Sequence, residues 1–273
     1  MTAWLSRLGR HLAIVVFIGI AAAAASGAVK TYPLPADCAD FAMNSDNGDL
    51  AAVIPDKNEA ILIKAADWQK GKVDAFAKLS VGSTPVSIFY KRYQNVRVYA
   101  IVCTQDSHMY LMNAADGTLL KKIELAHSGV SNVTGSINPE DPFVYYNYGG
   151  GHDSMTGAVS LKSFQSHAQV FNDSMDCAIS ASGEVAYRRG PWSPSGFESL
   201  IRTSAPGDEK PAFARLFYDH NSTAQYVPDP FDRYTAAGKT MYAQPGEAPG
   251  RPRFRAAMLF PQATGDRRHA VEQ

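Results

Sequence analysis

Asp37-Cys38-Ala39 returns, residue for residue, as Asp176-Cys177-Ala178, 139 positions further along the chain. That separation equals three periods of about 46 residues. Serines fill in the intermediate periods: Ser83, Ser128, Ser174 and Ser222 follow one another at intervals of 45, 46 and 48. Each precedes a short apolar run, namely Val86 to Tyr90, Val130 to Val133, Cys177 to Ile179 and Tyr226 to Val227.

Three more runs share the same spacing. The second set is Leu50 to Ile54, Val96 to Val102, Phe143 to Tyr146 and Val185 to Tyr187. The third is Ala60 to Ile63, Met109 to Met112 and Ala158 to Leu161, and the fourth Val73 to Val81, Leu119 to Leu125 and Ala168 to Phe171. All are rich in β-branched and aromatic residues and are parted by Asp, Asn, Gly and Ser, with Asn47-Gly48 and Asp116-Gly117 as tight-turn dipeptides. No stretch after the N-terminus holds a 3.6-residue apolar period for three turns, so helices are expected to be minor. Four short strands per repeat predict an all-β chain, a β-propeller of four-stranded antiparallel blades. One blade cannot bury both of its faces alone, so the apolar runs must recur for neighbours to cover one another. A two-layer sandwich is the structural alternative, but it does not predict a 46-residue recurrence.

The residues also carry a family resemblance. Val81-Gly82-Ser83-Thr84-Pro85-Val86-Ser87-Ile88 resembles the linker and first strand of YVTN-type repeats. Val98-Tyr99-Ala100 falls where that family has its second-strand signature, and Met109 to Thr118 resembles its third strand and following turn. The likeness is good over residues 50–125, fair to about 187 and poor beyond. WD-repeat-like blades share these features, whereas the recurring tryptophan of quinoprotein-type blades is missing, since Trp68 and Trp192 do not recur at the repeat period. The resemblance implies a propeller, partial or truncated here, because such propellers commonly have seven or eight blades. Seven would need on the order of 320 residues, and the chain has 273.

Repeats start near residues 37, 84, 130, 176 and 223, which predicts four blades and part of a fifth over residues 37–243. Residues 244–273, with several prolines, glycines and arginines, read as a poorly ordered tail. An incomplete ring leaves apolar blade faces uncovered, a patch that soluble monomers rarely tolerate. The expected partner is therefore a protein, or a second copy, meeting an exposed blade face.

Before the first repeat, Arg7, Arg10 and His11 lead into the apolar run Leu12 to Ala25, followed by Ser26-Gly27-Ala28. This is the plan of a secretory signal peptide over residues 1–28. The run is shorter than the roughly 20 residues that cross a bilayer, and an uncleaved N-terminal anchor is the alternative. Cleavage would place the mature protein outside the cytoplasm, secreted or periplasmic. It would remove Arg7 and Arg10, leaving 24 basic against 26 acidic groups of the original 26 and 26. That balance argues against nucleic acid as a partner, since phosphate binding needs a concentrated basic face. Hydrophobic residues at 45% and aromatics at 11% exclude intrinsic disorder. Three cysteines do not make a disulfide scaffold; Cys38 and Cys177 are expected unpaired and buried, and Cys103 is placed in the core of the second blade.

In a propeller, the linkers between blades surround one mouth of the central channel. Here they bring Asp37, His127, Asp173 and His220 toward that mouth as candidate ligand-binding residues. Two imidazoles and two carboxylates suit a divalent metal or acid–base work, although polar linker residues are usually only solvated. Gly149-Gly150-Gly151-His152-Asp153 reads as a flexible turn, because the lysine and helix of a phosphate-binding loop are lacking. No nucleophile elbow, His-Glu-X-X-His or Cys-X-X-Cys occurs. The leading expectation is a non-catalytic extracytoplasmic module that binds a protein or a small ligand. The second is a lactonase-like hydrolase with a metal at the channel mouth, which the family resemblance alone suggests.

Overall fold

The computed structural model describes residues 38–149, 154–172, 177–189, 197–205, 207–219, 226–228, 234–237, 240–243 and 256–259. The signal segment lies outside them. Apolar and β-branched runs become strands near where the sequence spacing puts them, although the Val73 to Val81 run is strand only over Ala77–Ser80 and the Val130 to Val133 run gives Asn132–Gly135. The first sheet holds β1 (Asp40–Met43), β2 (Leu50–Ile54), β3 (Glu59–Ile63) and β4 (Ala77–Ser80). The second holds β5 (Pro85–Tyr93), β6 (Val96–Cys103), β7 (His108–Asn113) and β8 (Leu119–Glu124), and the third β9 (Asn132–Gly135), β10 (Phe143–Tyr148), β11 (Met155–Ser160) and β12 (Gln165–Asn172). Next come β13 (Cys177–Ile179), β14 (Val185–Arg189), β15 (Phe197–Arg202) and β16 (Phe213–Asp219). The last sheet holds β17 (Tyr226–Pro228), β18 (Tyr234–Ala237), β19 (Thr240–Ala243) and β20 (Ala256–Leu259). One α-helix is found among the described residues, the single turn α1 (Ala65–Trp68).

Each sheet is an antiparallel meander whose strand order follows the chain. Five such sheets are present among the described residues, so the fifth repeat is a whole four-stranded sheet. Its outer strand, Ala256–Leu259, comes from the segment read in sequence as tail and pairs with Thr240–Ala243. The first strands adjoin in the order β1, β5, β9, β13, β17. Among the described residues the first and fifth sheets show no comparable packing, and the blades form an arc that does not close into a ring.

The blades cover one another as strand alternation requires. Ala51, Val53, Ala60 and Leu62 of blade 1 pack on Ile88, Tyr99, Ile101 and Met112 of blade 2. The other face of blade 2, through Val98, Ala100, Val102, Met109 and Leu111, meets Val144, Tyr146 and Tyr148 of blade 3. Phe143, Tyr145 and Ala158 then meet Cys177, Ile179, Ala186 and Leu200 of blade 4. Cys38, Cys103 and Cys177 are all free; Cys103 and Cys177 are buried, and Cys38 is half-buried rather than fully enclosed as expected. The exposed apolar face expected at the first end of the arc is not found. Leu50, Ala52, Ile54, Ile61 and Ile63, which point away from blade 2, are 0–6% exposed.

Apolar packing is non-directional, and hydrogen bonds set the blade-to-blade register. The Asp40 Oδ2 of β1 accepts from the Ile88 N–H at 2.9 Å and from the Ser87 hydroxyl at 2.8 Å. Ser87 Oγ of β5 in turn accepts from the Val133 N–H of β9 at 3.2 Å, beside Asn132 Oδ1 at 3.2 Å. Asp40, Ser87 and Asn132 thus occupy one repeat position, and the first two each receive a backbone N–H of the next blade. Burial raises the Asp40 carboxyl above its ordinary range, against the hydrogen bonds from Ile88, Ser87 and Phe41.

A second tie crosses the opposite end of the inner strands. Lys91, 0% exposed, donates to Ser136 O at 2.7 Å, Ser136 Oγ at 2.9 Å and Asn138 O at 2.9 Å. Ser136 Oγ donates to Asp141 Oδ2 at 2.5 Å, and Arg202 Nη1 of blade 4 donates to Asp141 Oδ1 at 2.9 Å. All three ammonium protons are used, as a buried charge requires. Burial still pulls Lys91 down to about 8, with Asp141 opposing the shift and Arg202 adding to it.

Two outcomes follow from these ties. Asp40→Ala orphans the buried Ile88 N–H and should cost about 2–3 kcal/mol in urea unfolding, whereas Asp40→Asn, which keeps an acceptor, should cost about half as much; equal costs would show that the acceptor is not the cause. The Lys91 effect has a definite sign. Its folded value of about 8 lies below the ordinary 10.5, so the folded chain binds fewer protons than the unfolded chain between those values. Stability from this group is lowest below pH 8 and rises through the window. The stability of the native protein minus that of Lys91→Met should grow by about 2 kcal/mol from about pH 7 to about pH 9.5; a flat difference would mean that Lys91 does not titrate in this way.

Candidate functional site

Alternating strand directions put the linkers between blades and the second-to-third strand connections on one face of the arc. Hydrogen bonds tie these loops together. The Thr104 and Gln105 N–H groups donate to the Thr84 and Ser83 carbonyls at 3.0 and 3.4 Å, and Gly129 N–H donates to Thr104 O at 3.0 Å. Thr84 N–H donates to Asn58 Oδ1 at 2.8 Å. Thr84 is held at φ 57°, a left-handed conformation that a β-branched residue adopts only under strain.

Of the four sequence candidates, only His127 lies among the described residues; Asp37, Asp173 and His220 lie outside them, as do residues 150–153 of the glycine-rich turn. His127 is exposed on this face. Its ring stacks on Tyr148 with centroids 4.7 Å apart and planes inclined by 13°. Tyr148 is itself buried at the end of β10, so it offers a rigid floor to an exposed imidazole. Among the described residues no group of three His, Cys, Asp or Glu side chains is placed to hold a metal ion.

A second cluster on the same face escaped the sequence reading. Asp106, His108 and Tyr110 stand at alternating positions where β7 begins, in the seam between blades 1 and 2. Asp106 Oδ1 lies 2.5 Å from His108 Nδ1, and Asp106 Oδ2 accepts from the Tyr110 hydroxyl. Lys122 Nζ is 4.0 Å from the same carboxylate and 5.1 Å from the centre of the Tyr110 ring. Burial opposes the charge on Asp106, but the hydrogen bonds from Tyr110 and His108, with the charges of His108 and Lys122, hold its carboxyl below the usual range. Burial and the hydrogen bond to Asp106 raise the Tyr110 phenol. Burial first, then the Asp106 charge, pushes the nearby Cys103 thiol up to about 12, which keeps it unreactive.

Linker residue Gly82 makes the arrangement sterically feasible. A Cβ there would sit 2.0 Å from Asp106 Oδ2, so any other residue would displace the carboxylate. Chemically, the carboxylate fixes the tautomer and tilt of His108 and leaves Nε2 as the working nitrogen. The signal that could have found the cluster is polar, polar, polar at i, i+2 and i+4 in Asp106-Ser107-His108-Met109-Tyr110. On a strand, that alternation places all three on one side.

No protein-family model matches the chain, and no curated protein matches it. Solved structures do resemble it. Kuenenia stuttgartiensis hydrazine synthase superposes with a TM-score of 0.54 at 14% identity, over 75% of this chain and 64% of that one. The Dos1 propeller gives 0.53 at 10% identity, over 76% and 56%. The Myceliophteria thermophila Cps50 (Swd1) β-propeller domain gives 0.56 at 10% identity, over 82% and 70%. The chain thus spans less than two thirds of the hydrazine synthase and Dos1 chains. At these identities the likeness concerns the fold, and by fold the chain is a β-propeller-like protein whose described residues form five blades in an unclosed arc.

Proposed function

We propose that this chain is a non-catalytic binding module that works outside the cytoplasm and presents its linker-bearing face to a protein or a small ligand. The observation that carries the reading is the exposed His127 ring, stacked on the buried Tyr148 and set on the same face as the Asp106–His108–Tyr110 cluster. A flat aromatic floor with hydrogen-bonding groups beside it is a common recognition surface, because rigid rings lose little entropy on binding. The strain at Thr84 supports it, since strained backbone tends to collect where a site must be held open. The basic leader of residues 1–28 supports export. The structure neighbours are compatible with many roles, for a propeller does not fix a function.

The Asp106–His108 pair favours one second reading, hydrolysis at this same face, in which His108 Nε2 would move a proton. Asp37, Asp173 and His220, with His127, remain the residues that would hold a divalent metal in that case. Hydrolysis of a lactone panel that collapses on His108→Gln would favour it; no turnover with or without added metal would count against it.

A photo-crosslinking residue separates the binding face from its opposite. Placed at Ser128, on the linker face, it should give an adduct of defined mass in the native extracytoplasmic fluid; placed at Asp116, in a turn on the other face, it should not. His127→Ala should weaken the Ser128 adduct by about ten-fold or more. Equal adducts at both positions, or none at either, would sink the reading. Export has its own readout: the intact mass of the protein in that fluid should lack residues 1–28, and full-length chain confined to membranes would replace the secreted module with an anchored one.

A further inference from the structure

Blade 1 begins the arc, so only one of its sheet faces meets another described blade. Ala51, Val53, Ala60 and Leu62 point to blade 2. Strand alternation sends Leu50, Ala52, Ile54, Ile61 and Ile63 to the opposite side. In an arc that side should be bare, yet these five residues form a buried cluster.

The covering material is local. Between β3 and β4 the chain runs through thirteen residues, 64–76, where the equivalent connection takes five in blade 2 (114–118) and four in blade 3 (161–164). Trp68 of α1, 7% exposed, belongs to the same buried cluster, and Val73 and Ala75 pack against it. Three polar contacts pin the segment. Trp68 Nε1 donates to Gly48 O at 2.8 Å. Ala65 N–H donates to Asp49 Oδ1 at 2.8 Å, and Lys64 Nζ lies 3.2 Å from Asp49 Oδ2. Lys64 also sits 3.8 Å from the centre of the Phe76 ring. Blade 4 has a long connection too, ten residues at 203–212, but it turns to blade 3, where Lys162 Nζ donates to Gly207 O at 3.3 Å.

We propose that residues 64–76 are a sealing strap that occupies the place on blade 1 where a further blade would lie. Stacked repeats need a capped end, because a terminal unit has no neighbour to cover its apolar side. Here the cap is not an extra repeat but an insertion within the first one. Head-to-tail stacking of copies joins the first blade of one to the last blade of another, and it is closed at this end. A second copy, or a blade from a partner, gains this surface only by displacing Trp68. Self-association through exposed blade faces is thereby confined to surfaces other than this one.

Hydroxyl-radical footprinting of the full-length protein, each residue compared with the same residue in the urea-unfolded chain, reads the strap directly. Trp68, Ile61 and Ile63 should be protected about ten-fold or more, while Leu119 and Leu120, at 45% and 47% exposure, should be modified nearly as in the unfolded chain. In Trp68→Ala the protection at Ile61 and Ile63 should fall several-fold, and the solution mass should rise with concentration beyond that of the unaltered protein. Two results overturn the proposal: Trp68 modified as fast as in the unfolded chain, or Ile61 and Ile63 still fully protected in a folded Trp68→Ala. Should that variant not fold, the unaltered protein decides alone, since protection at Trp68 supports the strap and its lack refutes it.

Discussion

A polar side chain on each of the first two inner strands, accepting a backbone N–H of the next blade, is the contact on which the register of the first three blades depends. Asp40 does this for Ile88 and Ser87 for Val133. Apolar faces such as Val98, Ala100 and Val102 against Val144 and Tyr146 supply most of the free energy. They would tolerate sliding, however, since dispersion and burial have no preferred direction. A hydrogen bond to a buried N–H has a fixed length and angle, and leaving it unmade costs more than making it gains. The inner rungs therefore set where the first three sheets stand against one another, and through that the positions of their loops.

The two faces of the arc are used differently. On the turn-bearing side, charge is locked away: Lys91, Asp141 and Arg202 tie three blades together. Asp46 holds Arg97 at 2.7 Å and Arg92 at 3.5 Å. Those groups have ion-pair partners within the fold. On the linker-bearing side, Asp106 fixes one nitrogen of His108 and leaves the other, and His127 stacks on Tyr148 with its edge in solvent. Burial of Lys91 is tolerable because three oxygens replace its water shell. The same burial makes that face rigid, a good base from which loops on the far side can be presented.

Closing a ring is one way to remove uncovered sheet faces; folding a connection back over the first blade is another. Trp68 shows how little chain this takes: one helical turn and a few small apolar residues cover five side chains. The arrangement works because Gly48 and Asp49, in the turn beneath, supply the acceptors that hold the helix turn in place. Sequence periodicity passes over such a device, since an insertion between two strands looks like any other loop.

The sequence by itself determined the strands and their repeat. Leu50–Ile54, Cys177–Ile179 and Val185–Arg189 begin where the apolar runs begin, because a strand needs only alternation and turn residues, both of which are local properties. It also placed Cys103 in a core and the linkers on one face. What it did not determine depends on residues far apart in the chain. The site on Asp106, His108 and Tyr110 exists because Gly82, more than twenty positions earlier, lets the carboxylate into the seam. The whole fifth sheet needed Ala256–Leu259 to find its place beside β19, although the prolines and arginines around it hide the strand. The covered end of blade 1 and the charge on Lys91 were likewise decided only by tertiary structure. Burial and hydrogen-bond partners are set by which sheet meets which, and one-dimensional spacing does not specify that.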